Sequence, residues 1–318
     1  MRPVALLFVV ASSALTCALS HVARAACQAS SPCADAEPMW QSPSAVHLNI
    51  VSDTAALGLG QLGFGAAATL RFSPAALNVP APNERGRDVN LITKALSWSL
   101  TGRVGIGNRM ELTALAAGLS QQGAGIKGVT SQNAPPIDSP SLEDPRVGFG
   151  YSLASSASFG AKVRFEAKLP LGNTQALAGE PSFVASPSLA LSSAWGRFFG
   201  GLELGARLRR PSDFFGVRIG SQASLAAGFG YEFPGPRLAF AVEVYMLPSL
   251  IDTGRQSYLP SEWLYTARLA PRCFGNFSLG AGVGGGLPLV GAVGGAQLGF
   301  GVPAFRGLVF VRFSPRGD

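Results

Sequence analysis

Histidine is almost absent from this 318-residue chain, which contains only His21 and His47. Neither histidine lies in the strand-rich part of the chain, so no Ser/His/Asp or Ser/His/Asn catalytic set can be assembled from the strands. The four cysteines include no C-x-x-C pair and no histidine cluster accompanies them, which gives no metal-ligand spacing. We therefore expect no catalytic residues, no metal site and no cofactor, and a protein that is not an enzyme.

Charged residues are also scarce, at 14% of the chain, and no run of five like charges occurs. The formal net charge of +7 is modest, so a nucleic-acid-binding patch is unsupported. A soluble secreted domain of this size normally carries more charge. What the chain has instead is glycine, at 40 residues, in weakly hydrophobic, alternating stretches that are typical of membrane β-barrel strands.

The amino terminus reads as a secretory signal peptide spanning residues 1–25. Arg2 precedes the largely apolar stretch Val4–Leu19, and Ala23-Arg24-Ala25 forms a small-residue cleavage site. Export permits disulfides, and Cys27 and Cys33 are close enough in sequence to close a small loop; the alternative is that both stay free. We expect residues 26–60 to form a periplasmic lead-in.

The stretch Phe159–Leu171 shows the clearest periodicity. Its odd-numbered residues are apolar, whereas Lys162, Arg164, Glu166 and Lys168 lie between them. A period of two predicts a β-strand with one apolar and one charged face. In a soluble sandwich the charged face would meet water, and in an outer-membrane barrel it would line the lumen.

Twelve such segments occur, and the connections between them alternate in length. Tight turns follow the even-numbered segments, for example near Gly105–Asn108 and Ala194–Arg197. Longer polar loops such as 73–87, 121–145 and 249–259 follow the odd-numbered ones, apart from the brief link 211–216. This alternation is typical of an all-β, antiparallel up-and-down transmembrane barrel, which we place at residues 61–315. The segments are 62–72, 88–103, 108–121, 146–155, 158–171, 182–194, 197–210, 217–231, 237–248, 260–271, 274–288 and 303–314.

Alternation then assigns a set of charged side chains to the lumen, and position near the turns assigns a set of aromatic rings to an interfacial girdle. The predicted lumen residues are Lys162, Arg164, Glu166, Lys168, Glu203, Arg207, Arg209, Glu243, Glu262, Arg268, Arg306 and Arg312. The predicted girdle residues are Phe159, Trp195, Phe198, Tyr231, Phe233, Phe274 and Phe313.

Two interpretations of the lumen stay open. Rings of arginine and lysine favour anions, so the charges could form a narrow channel for small solutes with a weak anion preference. The alternative is an ion-paired network that fills a non-conducting structural or surface-display barrel, with loop 121–145 as its outward contact.

Several stretches resemble a family of gram-negative outer-membrane barrels: residues 96–119, LEDPRVGF at 142–149, FEAKLPLG at 165–172 and VPAFRGLVFVRFSP at 302–315. They are similar to the amino-terminal barrel of outer-membrane-protein-A-like proteins and to porin-like transporters linked to uptake of aromatic compounds. The resemblance covers about residues 88–315 and implies an outer-membrane location. The expected partners are outer-membrane lipid and lipopolysaccharide, the barrel-assembly machinery, which would recognise the aromatic-ended last strand, and small solutes.

Overall fold

A computed structural model describes residues 39, 41–44, 46–79, 87–123, 140–214, 217–235, 237–250, 259–270, 276–287 and 302–315. The predicted signal peptide, the Cys27–Cys33 pair and the girdle residue Phe274 lie outside these ranges. Within them, no helix is both long enough and apolar enough to cross a membrane.

The described elements are strands and one short 3-10 turn. The strands are β1 (Leu62–Val79), β2 (Arg87–Gly105), β3 (Met110–Gln122), β4 (Ser141–Leu142), β5 (Arg146–Ser155), β6 (Phe159–Lys168), β7 (Val184–Trp195), β8 (Phe198–Arg207), β9 (Ser212–Phe214), β10 (Val217–Ile219), β11 (Gln222–Glu232), β12 (Leu238–Met246), β13 (Ser261–Leu269), β14 (Phe277–Gly286) and β15 (Phe305–Phe313). The 3-10 turn spans Thr174–Ala176.

The long strands form one closed antiparallel barrel. Each long strand pairs with the long strands before and after it in the chain. The short β4 pairs with β3. The β9–β10 hairpin lies between β8 and β11 in sequence, but β8 pairs directly with β11. The ring closes where β1 pairs with β15, from Phe64 opposite Phe313 to Phe72 opposite Phe305. The predicted twelve-stranded antiparallel barrel is therefore confirmed. Closure leaves no barrel strand with an unpaired edge, which is the condition for crossing a lipid bilayer with strands.

The structure differs from the predicted connections in two places. The first hairpin continues well past Phe72, because β1 and β2 pair as far as Val79 opposite Arg87. Pro74 lacks an amide hydrogen and favours a loop at this point, but register shifts around Ala75 absorb the irregularity and pairing resumes. The predicted link 211–216 contains β9, which pairs with β10 in a second, small hairpin.

Solvent exposure separates the two faces of the wall. Along β3, Glu111, Thr113 and Leu115 are buried and alternate with exposed Leu112 and Ala114. The same pattern recurs on β6, where buried Lys162 and Arg164 alternate with exposed Val163. The outer face is thus apolar and the inner face carries the charge, which is the arrangement of a barrel whose outer surface faces lipid.

Aromatic rings cluster outside the barrel at its short-turn end. Phe64, Phe277 and Phe313 stack around the closing strands, with ring centroids 4.8 Å apart for Phe64 and Phe313 and 4.9 Å for Phe277 and Phe313. Phe198, Tyr231 and Phe233 form a second cluster. Phe159 and Trp195 lie exposed beside the same turns. That these rings settle at the headgroup level of a membrane stays a prediction.

The indole of Trp98 on β2 covers Gly118, its cross-strand partner on β3. A Cβ atom at position 118 would lie 2.3 Å from Trp98 Cζ2. The substitution Gly118→Ala should therefore displace the indole and destabilise the barrel by about 1 kcal/mol, read as a lower urea midpoint for the purified protein. Gly102→Ala is the matched control, because nothing lies within 4 Å of a Cβ there. Equal midpoints for the two variants would contradict this account of the pair.

Candidate functional site

The charged residues predicted to line the lumen lie on the inner side of the barrel or at its rim. Arg209 follows the end of β8, and the others are on strands. Lys162, Glu243 and Glu262 are fully inaccessible to solvent. The inner charges therefore do not face an open, water-filled pore, and something in the lumen must cover them.

The covering element is part of the chain that precedes β1. We call the described residues Met39, 41–44 and 46–58 the lumen segment, because they contact inward-facing side chains from most strands of the wall. Its apolar side chains pack with apolar residues of the inner face into a small core. That core contains Met39, Leu48, Ile50, Val51, Ala226, Ala241, Tyr245, Leu247, Leu264, Leu308 and Phe310.

Carboxylates of the wall bind the backbone of the lumen segment. Glu243 accepts hydrogen bonds from the backbone N–H groups of Asn49 and Ile50, both at 2.7 Å. Glu203 accepts from the backbone N–H of Ser52 at 2.9 Å and from its hydroxyl at 2.7 Å. An irregular segment in a closed interior needs partners for its peptide groups, and these carboxylates supply them with charge-assisted hydrogen bonds.

Basic side chains bind its carbonyl groups in the same way. Lys162 Nζ donates to the carbonyl of Ala55 at 3.0 Å, and Arg146 donates to the carbonyl of Gln41 at 3.0 Å. A third contact joins Arg312 to the carbonyl of Leu48, also at 3.0 Å. Both signs of charge on the wall therefore hold the segment, each through the backbone group of opposite polarity.

The same charged side chains also form ion pairs with other charged side chains on the inner face of the wall. Lys162 lies 3.0 Å from Glu111, and Arg164 contacts both Glu166 and Glu203. On the opposite side, Glu262 binds Arg306 at 2.9 Å and accepts a hydrogen bond from Tyr245 at 2.6 Å. Buried charges persist only when paired and hydrogen-bonded, and this condition is met around most of the inner face.

A second element narrows the barrel at its long-loop end. The connection between β6 and β7, residues 169–183 (the inward loop), places Leu177 and Ala178 out of contact with solvent. Gln121 donates to the carbonyl of Ala176 at 2.6 Å. Asp144 accepts from the backbone N–H groups of Gly172 and Glu180, both at 2.6 Å.

Leu177 adopts a left-handed backbone conformation, with φ of 54°. A bulky residue in this region is strained by about 1–2 kcal/mol, and its burial together with the clamp from Asp144 holds it there. The inward loop is therefore held in a fixed position by specific contacts.

Two small cavities remain beside the lumen segment. One of about 40 Å³ lies against β1, β2, β14 and β15. Another of about 50 Å³ lies against β5 to β8, β11 and β12, and its lining includes Arg146, Arg164 and Arg207. Each has room for a few water molecules.

Sequence reasoning did not place the lumen segment inside the barrel, because it treated residues 26–60 as a lead-in to the first strand. A signal was present: residues 39–58 carry one formal charge, Asp53, and several large apolar residues. A stretch of this composition is more compatible with burial inside the barrel than with exposure to solvent. In the part of the chain that the structure describes, no group of three His, Cys, Asp or Glu side chains could hold a metal ion.

No protein-family profile matches this chain, and no curated protein matches its sequence. Among solved structures, an outer-membrane channel from Pseudomonas putida F1 superposes with a TM-score of 0.54 at 16% identity, covering 82% of this chain and 97% of that one. The NanC porin matches with a TM-score of 0.47 at 10% identity over 80% of this chain and 100% of that one. The KdgM porin matches with a TM-score of 0.44 at 10% identity over 80% and 99%.

The likeness to the Pseudomonas putida channel, at 16% identity, shows the fold alone, a β-barrel, and it does not establish an activity. The finer resemblance to the amino-terminal barrel of outer-membrane-protein-A-like proteins stays a prediction.

The substitution Glu243→Gln should release the middle of the lumen segment. A glutamine keeps one acceptor oxygen but presents an amide donor to the second backbone N–H, so a charge-assisted bond worth about 2 kcal/mol is lost. Amide hydrogen exchange at Asn49–Val51 should then accelerate by about 30-fold, measured by mass spectrometry on the folded barrel.

Glu232→Gln is the control for this experiment. Glu232 is a partly exposed carboxylate of the wall that pairs with Arg268 at 3.8 Å and has no hydrogen bond to the lumen segment. Unchanged exchange in Glu243→Gln, or equal acceleration in both variants, would show that Glu243 does not hold the segment.

Proposed function

We propose that this protein is an outer-membrane channel for small solutes with a weak preference for anions. The observation that carries the proposal is the charge of the inner face. Among the described strand residues, nine buried basic side chains stand against five buried acidic ones. The basic residues are Arg71, Arg103, Arg146, Lys162, Arg164, Lys168, Arg207, Arg268 and Arg306, and the acidic ones are Glu111, Glu166, Glu203, Glu243 and Glu262. An excess of fixed positive charge in a narrow passage favours anions.

The lumen segment limits the size of the solutes that such a channel can pass. With the segment in place, each described cavity holds a volume of only a few water molecules, so the wild-type protein should conduct ions poorly. Displacement of the segment would open the space enclosed by twelve strands, which is wide enough for a narrow aqueous passage. Channel function in this proposal therefore depends on how firmly Glu203 and Glu243 hold the segment.

A second candidate function is a non-conducting structural or surface-display barrel. The filled lumen favours it, since the ion pairs and the packed core of the lumen segment would brace the wall whether or not a solute passes. Its outward contact would be loop 121–145, of which residues 124–139 lie beyond the described part of the chain.

Planar-bilayer recording separates the two functions. We expect small, discrete conductance steps from the wild-type protein and larger steps from the double variant Glu203→Gln/Glu243→Gln, in which the lumen segment is released. Silent insertion of both proteins would contradict the channel and leave the structural barrel as the function.

Ion selectivity tests the anion preference. Arg164 and Arg207 line the same cavity, so Arg164→Gln and Arg207→Gln should each shift the reversal potential in a salt gradient toward cation selectivity. Arg197→Gln, in the exposed turn between β7 and β8, is the matched control and should not shift it. A wild-type channel that prefers cations, or equal shifts in all variants, would overturn the preference.

A further inference from the structure

Two arginines at the short-turn end of the barrel, buried Arg103 and half-buried Arg312, differ from the other inner cations. Arg103 on β2 donates to the hydroxyl of Ser314 at 2.6 Å. Arg312 on β15 donates to the carbonyl of Leu48 and to the side-chain oxygen of Asn49, and its guanidinium lies 4.4 Å from the centre of the Phe310 ring. All of these partners are neutral. Neither arginine forms an ion pair with any carboxylate that the structure describes.

The carboxylates nearby form their hydrogen bonds with other partners. Glu111, on the strand next to Arg103, pairs with Lys162 at 3.0 Å and accepts from Ser44 at 2.5 Å. Glu243 is occupied by the backbone N–H groups of the lumen segment at 2.7 Å. The two guanidinium groups therefore form no hydrogen bond with a described carboxylate, in a place that is partly removed from water, where an unpaired charged donor is costly.

Two glycines on β1, Gly63 and Gly65, leave a space beside the two arginines, which we call the hollow. Gly63 on β1 is the cross-strand partner of Arg103, and Gly65 is the partner of both Thr101 and Arg312. A Cβ at position 63 would lie 2.6 Å from Arg103 Nε, and one at position 65 would lie 2.8 Å from the Thr101 hydroxyl. The absence of side chains on this stretch of β1 makes the room in which the guanidinium groups lie.

The hollow continues into the cavity of about 40 Å³ between the lumen segment and the closing strands. Its polar lining also includes hydroxyl and amide groups, from Gln41, Ser99, Thr101, Ser278 and Ser314. Apolar residues such as Val46, Ala67 and Phe310 line the rest. Guanidinium and hydroxyl donors that converge on a small cavity match the acceptor oxygens of a carboxylate or phosphate.

We propose that this hollow is a binding site for a small oxyanion, a carboxylate or a phosphate group, held by Arg103 and Arg312 beside Gly63 and Gly65. The site goes beyond the proposed channel function, because it requires occupancy and not conduction. An anion there accepts the charge-assisted hydrogen bonds that no described carboxylate accepts from these arginines.

The test is calorimetric titration of the full-length folded protein in detergent, in a buffer without phosphate, carboxylate or chloride. Inorganic phosphate and acetate are titrated separately, which distinguishes the two oxyanion classes. We expect saturable binding of at least one of them at one site per chain. Absence of saturable binding for both would overturn the proposal.

Arg103→Gln is the central variant, because Arg312 also holds the lumen segment. We expect it to weaken binding at least tenfold. Arg109→Gln removes the same charge from the exposed turn after β2 and should bind like the wild type. Equal affinities for these two variants, whether both reduced or both unchanged, would show that the hollow is not the site.

Gly65→Val keeps both arginines and the net charge but places a side chain in the hollow. Its Cβ would lie 2.8 Å from the Thr101 hydroxyl and 3.4 Å from Arg312, side-chain atoms that can shift. It would also lie 3.3 Å from the carbonyl oxygen of Val311, which must move by a few tenths of an ångström, and valine suits a strand. We expect binding to be lost in this variant while the barrel stays folded. Retained binding would overturn the proposal even if Arg103→Gln fails to fold.

Discussion

The structure depends on hydrogen bonds between wall carboxylates and the backbone of the lumen segment. A closed barrel satisfies its own peptide groups through the strand ladder, but an irregular chain inside it has no ladder to join. Glu243 and Glu203 meet this need for Asn49, Ile50 and Ser52. The inner-face carboxylates thus supply acceptors for the backbone of the lumen segment, and the N–H groups of the segment in turn stabilise the buried carboxylates.

The same interaction explains why the lumen tolerates so many buried ions. Arg164 lies between two carboxylates, Glu166 and Glu203, and Glu203 also holds the lumen segment. Removing one member of such a network leaves its partner buried and uncompensated, at a cost of about 3–5 kcal/mol. The hollow beside Arg103 and Arg312 is the exception, since its cations have neutral partners, and this difference is what suggests a ligand there.

Periodicity predicted the wall well because each strand carries the information in its own residues. Residues 158–171 were expected as a strand, and β6 runs from Phe159 to Lys168. The extension of β1 past Pro74 was missed, because the bulge that accommodates this residue depends on the partner strand. The lumen segment was missed for a stronger reason. Its burial comes from contacts such as Asn49 with Glu243, 194 residues apart. The low charge of residues 39–58 indicates burial but does not identify a partner so distant in sequence.

The filled lumen is tested most directly by the chemical accessibility of Val51, which is 1% exposed, against Leu59, which is 73% exposed. Each would be replaced by cysteine in a chain whose own cysteines are serine, and the folded barrel would be treated with a bulky maleimide. The account predicts rapid labelling of Leu59→Cys and labelling of Val51→Cys only after unfolding. Equal, rapid labelling of both in the folded barrel would show that the segment does not occupy the lumen.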